Sequence, residues 1–181
     1  MTSSPSSWVL PTTLPVAAGV TLRHVTQRDA EALALLWRDE QVRAHLGGVV
    51  PEPEARRRGR AHVCRAGSFV VDAPGRSAAG LVMVGPHTSG DLEISFLFLP
   101  STWGHGHAGT AVRAVVAWAF REAGLLRLIA VTRSSNGPSL ALLARSGFAL
   151  ERELVEFGAQ QQLWVVDQAR WSTTVQQGPA T

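Results

Sequence analysis

The sequence predicts a mixed α/β fold, a mostly antiparallel central sheet of about six or seven strands flanked by about four helices. Three observations predict it. Short apolar runs at 68–72, 78–85 and 92–99 are separated by the turn signals Pro74-Gly75 and Ser89-Gly90-Asp91, as hairpin-connected strands are. A glycine-rich segment, Trp103-Gly104-His105-Gly106-His107-Ala108-Gly109, feeds a long apolar helix. A continuous apolar strand at 125–132 follows, which makes strand, helix and strand a parallel crossover.

The elements read in order from the N-terminus. Residues 1–19 carry prolines and no basic run, and are expected to be a flexible leader rather than a secretory signal. Residues 20–25 alternate as a strand does. Thr26 then caps a helix, with Asp29 three residues on as a capping-box partner. Pro51 and Pro53 open a second, Arg-rich helix to about Arg65. After the three hairpin strands, Pro100 ends the last one, and the helix that begins near Gly109 or Thr110 closes at Gly124. Asn136-Gly137-Pro138 starts a short helix that Gly147 ends. Strands near 149–156 and 161–166 complete a single domain spanning 20–167, and a polar tail is expected from 168 to 181.

Composition narrows the function. The 181 residues are 45% hydrophobic and 17% charged, as in a globular domain, and no apolar run approaches a membrane span. The single cysteine, Cys64, fits a reducing cytoplasm and reads as a buried structural thiol. Every basic side chain apart from the histidines is Arg, and the net charge is a modest +3. The one basic run, Arg56-Arg57-Arg58-Gly59-Arg60, lacks the aromatic interleaving of a nucleic-acid track and reads as a solvated helix face. The chain has no Tyr, so no phenol can serve as a catalytic acid.

The glycine segment satisfies more than one pattern. As G-x-G-x-x-G through Gly104, Gly106 and Gly109 it matches the dinucleotide fingerprint. That fold, however, wants the first Gly directly after a buried parallel strand and a carboxylate at the end of the next strand. Here Pro100 to Trp103 intervene, and the next strand ends in Thr132-Arg133. A metal site built on His105 and His107 lacks a nearby Cys or carboxylate to complete a tetrahedral set, and no metal is expected. The remaining reading is an anion site. Glycines curl the chain so that successive N–H groups converge at a helix N-terminus, and Ala108 is small where the backbone must come close to a pyrophosphate.

With these residues in place, the stretch from Leu92 to Phe120 resembles the central motif of the GNAT superfamily of acetyl-CoA-dependent N-acyltransferases. The Trp-Gly-x-Gly-x-Ala form, with the later Asn136…Ser139…Gly147-Phe148 segment, is similar to the branch of ribosomal-protein N-terminal acetyltransferases, the Rim-type branch. The similarity covers roughly residues 20–166. It implies a GNAT-like β-α-β acyl-CoA-binding core and acetyl-CoA as cosubstrate. The implied acceptor is an amine, either a peptide or protein N-terminus or a small metabolite. No membrane or nucleic-acid partner is implied, and homodimers are common in the family. Trp103 departs from the broader superfamily, which has Gln or Arg there.

The resemblance also implies site residues. Backbone amides around Phe96, Leu97, Phe98 and Leu99 would bond the thioester and pantetheine. Trp103, Gly104, His105, Gly106, His107, Ala108, Gly109 and Thr110 would carry the pyrophosphate. Asn136 and Ser139 would contact pantetheine, with Ser139 also a general-acid candidate, and Arg145 would meet an adenine-side phosphate. On residue chemistry, an amine of pKa about 8–10 needs a base. Alternation puts Glu93, Ser95, Leu97 and Leu99 on one face of their strand, which makes Glu93 the first candidate base and Glu156 the runner-up. His45 and His62 read as surface residues and Trp37 as core. Two other functions stay open, an acyl-CoA-binding regulatory module without turnover and a nucleotide-dependent oxidoreductase.

Overall fold

The structure of the chain is a computed structural model that describes residues 13–176. Eight strands form one sheet in the order β1-β2-β3-β4-β5-β6-β8-β7. They are β1 (Thr13–Pro15), β2 (Thr21–His24), β3 (Ser68–Ala73), β4 (Arg76–Pro86), β5 (Leu92–Phe98), β6 (Arg127–Arg133), β7 (Ala149–Glu156) and β8 (Ala159–Asp167). Every neighbouring pair is antiparallel except β5 and β6. The helices are α1 (Ala30–Arg38), α2 (Glu40–Arg43), α3 (Glu52–Arg60), α4 (His107–Arg121), α5 (Gly137–Arg145) and α6 (Gln168–Gln176).

The sheet has one apolar core on each face. On one, α4 presents Ala111, Val112, Val115, Val116, Ala119 and Phe120 to Val71, Val82, Ile94 and Phe98, and Phe69 meets Trp118 edge-on at 5.5 Å. On the other, α1 and α3 cover Val70, Leu81 and Leu99 with Leu33, Leu36, Trp37 and Ala55. The alternation expected for β5 therefore holds. Ile94 and Phe98 are buried under α4, while Leu97 and Leu99 face α1 and α3. Those two helices touch so closely that a Cβ added to Gly59 would lie 2.3 Å from the carbonyl oxygen of Ala30.

A charged network ties β2 and β3 to the start of α1. Arg23 donates to both carboxylate oxygens of Asp29 at 2.8 Å and, through Nε, to Asp72 at 2.7 Å. The Thr26 N–H donates to Asp29 at 2.8 Å, the return arm of the expected capping box.

Several expectations change here. Eight strands and six helices are present among the described residues, against six or seven and about four. Residues 13–15 of the expected leader pair with β2 as an edge strand; residues 1–12 and 177–181 lie outside the described part. The stretch read as a polar tail forms α6, whose Trp171 is buried beside Phe120 in the α4 core. One indole at the right helical position is enough to dock an otherwise polar segment. Cys64 is exposed, in a turn with φ of 53°, and is not a core thiol.

Candidate functional site

The β5–β6 junction differs from the rest of the sheet. β4 and β5 pair continuously from Gly80↔Phe98 to Pro86↔Leu92, whereas β5 and β6 register only at Glu93↔Ile129 among the described residues. Beyond that point the two parallel strands part. Main-chain polar groups alternate sides along a strand. The Leu99 N–H donates to Ala79 on the β4 side at 3.0 Å, so Leu97 also points to β4, while Phe96 and Phe98 point their main chain into the gap. The Phe98 carbonyl on that side accepts the indole N–H of Trp103 at 2.9 Å. This gives Trp103 a role of its own: its side chain ties the glycine loop to the end of β5.

Between β5 and α4 runs a short 3-10 turn, Pro100–Thr102, in which the Thr102 hydroxyl donates to the Leu99 carbonyl at 2.8 Å. Gly104 and Gly106 then adopt left-handed conformations with φ of 80° and 77°, and Gly106 turns the chain directly into α4. The helix thus begins at His107, earlier than the sequence suggested, and His107, Ala108 and Gly109 form its first turn. Thr110 donates the first helical bond, to Gly106 at 3.0 Å. The three preceding N–H groups have no partner within the helix, and no acidic residue stands in that turn. Arg113 leans back over it, its guanidinium 3.1 Å from where a Cβ on Gly109 would be. His105 and His107 stack at 5.5 Å, and the buried Nδ1 of His107 has no hydrogen-bond partner. The mouth of α4 is therefore a site of positive potential with unsatisfied donors, suited to a diphosphate. Among the described residues, no group of three His, Cys, Asp or Glu side chains could hold a metal ion.

The polar end of β5 lies on the α1–α3 face. Along the ladder the cross-strand pairs run from Leu81/Leu97 through Met83/Ser95 to Gly85/Glu93, so the surface grades from core to carboxylate. Gly85 has open space where a side chain would project. Here Glu93 and Ser95 join Arg65, Ser68, Met83, Val84, Gly85 and Pro86 in lining a cleft of about 220 Å³. Glu93 accepts from the Ser95 hydroxyl at 3.3 Å and from the Val131 N–H of β6. Burial pushes its carboxyl above the usual range, and the charge of Glu156 pushes the same way. His87, Ser95 and the Val131 N–H oppose them without cancelling the shift.

Glu156, at the end of β7, faces the Nε2 of His87 at 3.9 Å. His87 is a residue that sequence reading passed over, because Pro86 to Asp91 registers there only as a turn. Two signals were legible: as residue i+2 from Gly85 it shares the Glu93 face, and it stands one position beyond a strand end.

The other residues singled out by the sequence divide. Asn136 is engaged as the cap of α5, accepting from the Ser139 N–H and donating to the Thr132 hydroxyl, each at 3.3 Å. Ser139 is half-exposed in the first turn of α5, and Arg145 is exposed in its last. His62 is buried, against expectation. It stacks on Trp37 at 5.5 Å, bonds Ser68 through Nδ1 at 3.0 Å, and burial followed by the nearby Arg65 pushes it down to about 4. It is a neutral core residue. His45 is half-exposed and bonds Ser135 at 3.2 Å, linking the α1–α3 side of the molecule to the loop before α5. No helix among the described residues is long and apolar enough to cross a membrane.

Comparison with known proteins agrees with this fold. A family model described as an acetyltransferase (GNAT) domain matches residues 20–149. No curated protein sequence matches significantly. Solved structures with the same fold include a GNAT-family acetyltransferase from Bacillus anthracis, 20% identical, covering 87% of this chain and 99% of that one with a TM-score of 0.76. Spermidine N-acetyltransferase from Vibrio cholerae, with CoA and spermine, is 18% identical over 85% and 98% of the two chains, with a TM-score of 0.71. Mycobacterium smegmatis RimJ, in complex with CoA-disulfide, is 25% identical over 92% and 93%, with a TM-score of 0.69.

Proposed function

The chain belongs to the GNAT acetyltransferase family, a family of acetyl-CoA-dependent N-acetyltransferases, and from that premise we propose that its acceptor is the N-terminal α-amine of a peptide or protein. The Trp103-Gly104-x-Gly106-x-Ala108 loop and the Asn136…Ser139…Gly147-Phe148 segment support this reading, as does the 25% identity to a protein of the Rim type.

The residues present fit the cosubstrate. The unpaired N–H groups of His107, Ala108 and Gly109, with Arg113 above them and no carboxylate in that turn, would hold the diphosphate. The buried, unpartnered Nδ1 of His107 is a further donor or acceptor at the same mouth. The main chain of Phe96 and Phe98 would bond the pantetheine arm in the gap where β5 leaves β6, and Asn136 and Ser139 would border it from α5. Arg145 would meet an adenine-side phosphate at the far end of that helix.

Glu93 is the base. Its raised affinity for protons matches the task of taking one from an amine whose pKa is about 8–10. The amine nitrogen attacks the thioester carbonyl carbon while its proton passes to the Glu93 carboxylate. The carbon–sulfur bond then breaks and the electron pair leaves with the thiolate, which water or Ser139 protonates. A thiol of pKa about 8.5 leaves acceptably without a phenol.

The observation that carries acyl transfer to an amine is the gap that opens beyond Glu93↔Ile129, with the half-buried Glu93 carboxylate at its edge. The choice of a peptide N-terminus rests on the loop and the Rim-type identity. The test is thiol release from acetyl-CoA with three acceptor sets, peptides with free and blocked N-termini, polyamines and aminoglycosides. Release that requires a free peptide N-terminus supports the proposal. Faster release with polyamines or aminoglycosides would give the site to small amines. Heat of binding with acetyl-CoA but no release with any acceptor would make the chain a binding module.

A further inference from the structure

The turn between β4 and β5 is built around one imidazole. His87 N–H donates to the Asp91 carbonyl at 2.9 Å, closing the turn, and the Ser89 N–H donates to His87 Nδ1 at 3.1 Å. The Ser89 hydroxyl in turn donates to Asp91 at 2.9 Å. The Ser89 hydroxyl oxygen also lies 3.0 Å from Nδ1, so Ser89 holds the ring on that side through both its N–H and its side chain. The opposite ring nitrogen, Nε2, faces Glu156, whose oxygen is 3.9 Å away, and the His87 side chain is only 10% exposed there. In register, His87 follows Gly85 on the face that Glu93 occupies, and Gly85, opposite Glu93, puts no side chain there.

We infer that His87 and Glu156 are positioning residues for Glu93, an imidazole–carboxylate pair that the β4–β5 turn holds at the cleft mouth to set the charge of the amine-activating group. This rests on the reading of Glu93 as base. The Glu156 charge repels that of Glu93 and raises its affinity for protons. The imidazole offsets that repulsion, while Glu156 keeps Glu93 basic enough to take a proton. The other charged groups around Glu93 are Arg65 on the cleft wall and Asp91 at the start of β5. Asp91 is already paired with Arg127 of β6 at 3.2 Å, so it adds little free charge.

The pair is tested without an acceptor, by following the side-chain carboxyl carbon of Glu93 in a carbon-13 NMR titration of the full chain, with Glu93→Gln to assign the resonance. Glu156→Gln is expected to move its titration to lower pH, and His87→Asn to higher pH. Asn can still accept the Ser89 N–H but cannot reach Glu156. His87→Gln, which presents an Nε2 donor but leaves Ser89 unmatched, is expected to stay near the wild-type midpoint. A role confined to the turn predicts the reverse order of rescue. In thiol release with the fastest peptide of the acceptor panel, His87→Asn should lose about tenfold in kcat/KM on the acid side and little on the alkaline side. An unmoved Glu93 titration in all three variants, with Glu93→Gln inactive, would overturn the inference and leave the base in place. Full thiol release by Glu93→Gln would overturn both.

Discussion

The β4–β5 ladder and the β5–β6 junction share a strand and have opposite natures. On the β4 side, every position from Gly80↔Phe98 to Pro86↔Leu92 is in register. The pairs Leu81/Leu97 and Val82/Phe96, each a buried β4 side chain against a half-buried β5 one, add to the two cores on opposite faces. On the β6 side, the register among the described residues is confined to Glu93↔Ile129, and main-chain groups that a continuous ladder would consume face the gap. A strand with one edge satisfied and one edge open can be rigid and reactive at once, because the closed edge fixes the geometry of the open one. The difference teaches that the site is a place where sheet formation was stopped rather than a feature added to it.

The comparison can be broken most directly at the open edge. Glu93→Gln is expected to lower kcat by roughly 10²–10⁴-fold, the usual contribution of a general base. Its thermal midpoint at neutral pH should not fall, since burial disfavours the ionised form of the wild-type carboxyl. A steady-state assay and a melting curve on the same preparation check both halves. At the closed edge the pattern should invert. Leu81→Ala removes a fully buried side chain from the α1–α3 core and should cost about 2–5 kcal/mol of stability in denaturant unfolding. The KM for acetyl-CoA should barely change while the protein stays folded.

Gly106→Ala sharpens the contrast on a smaller scale. A Cβ meets open space there, but φ is 77°, so the backbone strain is about 1 kcal/mol. Global stability should drop by no more than that. Calorimetric affinity for CoA should weaken about tenfold, because the amides of the α4 mouth would be re-aimed. Loss of stability without loss of affinity would show that the loop is scaffold.

The smallest effect is in the pH dependence, which should carry opposite signs in the two regions. Burial alone would raise Asp29 and Asp72, but Arg23 and backbone or hydroxyl donors override it and hold both below the usual range. Their ionised forms are favoured by folding, so that contribution is present above the ordinary Asp range, about 3.9, and is lost as pH falls through the lowered values. Glu93 is raised, so its contribution is present at low pH and is lost as pH rises through its folded value. Unfolding of Asp72→Asn and Glu93→Gln across the acid range should show the first variant flattening the acid loss of stability and the second removing a small opposite slope. The ascending limb of activity should lie above the ordinary Glu range, about 4.3.

Much of this was legible in the sequence because it is local. The alternation of Glu93, Ser95, Leu97 and Leu99 follows from the two-residue repeat of a strand. The Asn136 cap and the Thr26–Asp29 pair follow from backbone groups within one turn. Gly104 and Gly106 could be read as left-handed positions because few other residues are stable there. Other features were misread because neighbours far along the chain decide them. Nothing around His62 announces that Trp37 stacks on it, nor around Trp171 that Phe120 receives it.

By itself, then, the sequence determined β2 to β8 with α1, α3, α4 and α5 in their order, which face of β5 each residue takes and the donor-rich shape of the α4 mouth. Each depends on torsions and spacings within about one turn or one hairpin. Only the tertiary structure decided that β5 and β6 meet at a single register point, and that His87 and Glu156 come together beside Glu93. Those contacts depend on how eight strands twist and register against one another, a sum over the whole sheet that no short stretch of chain contains.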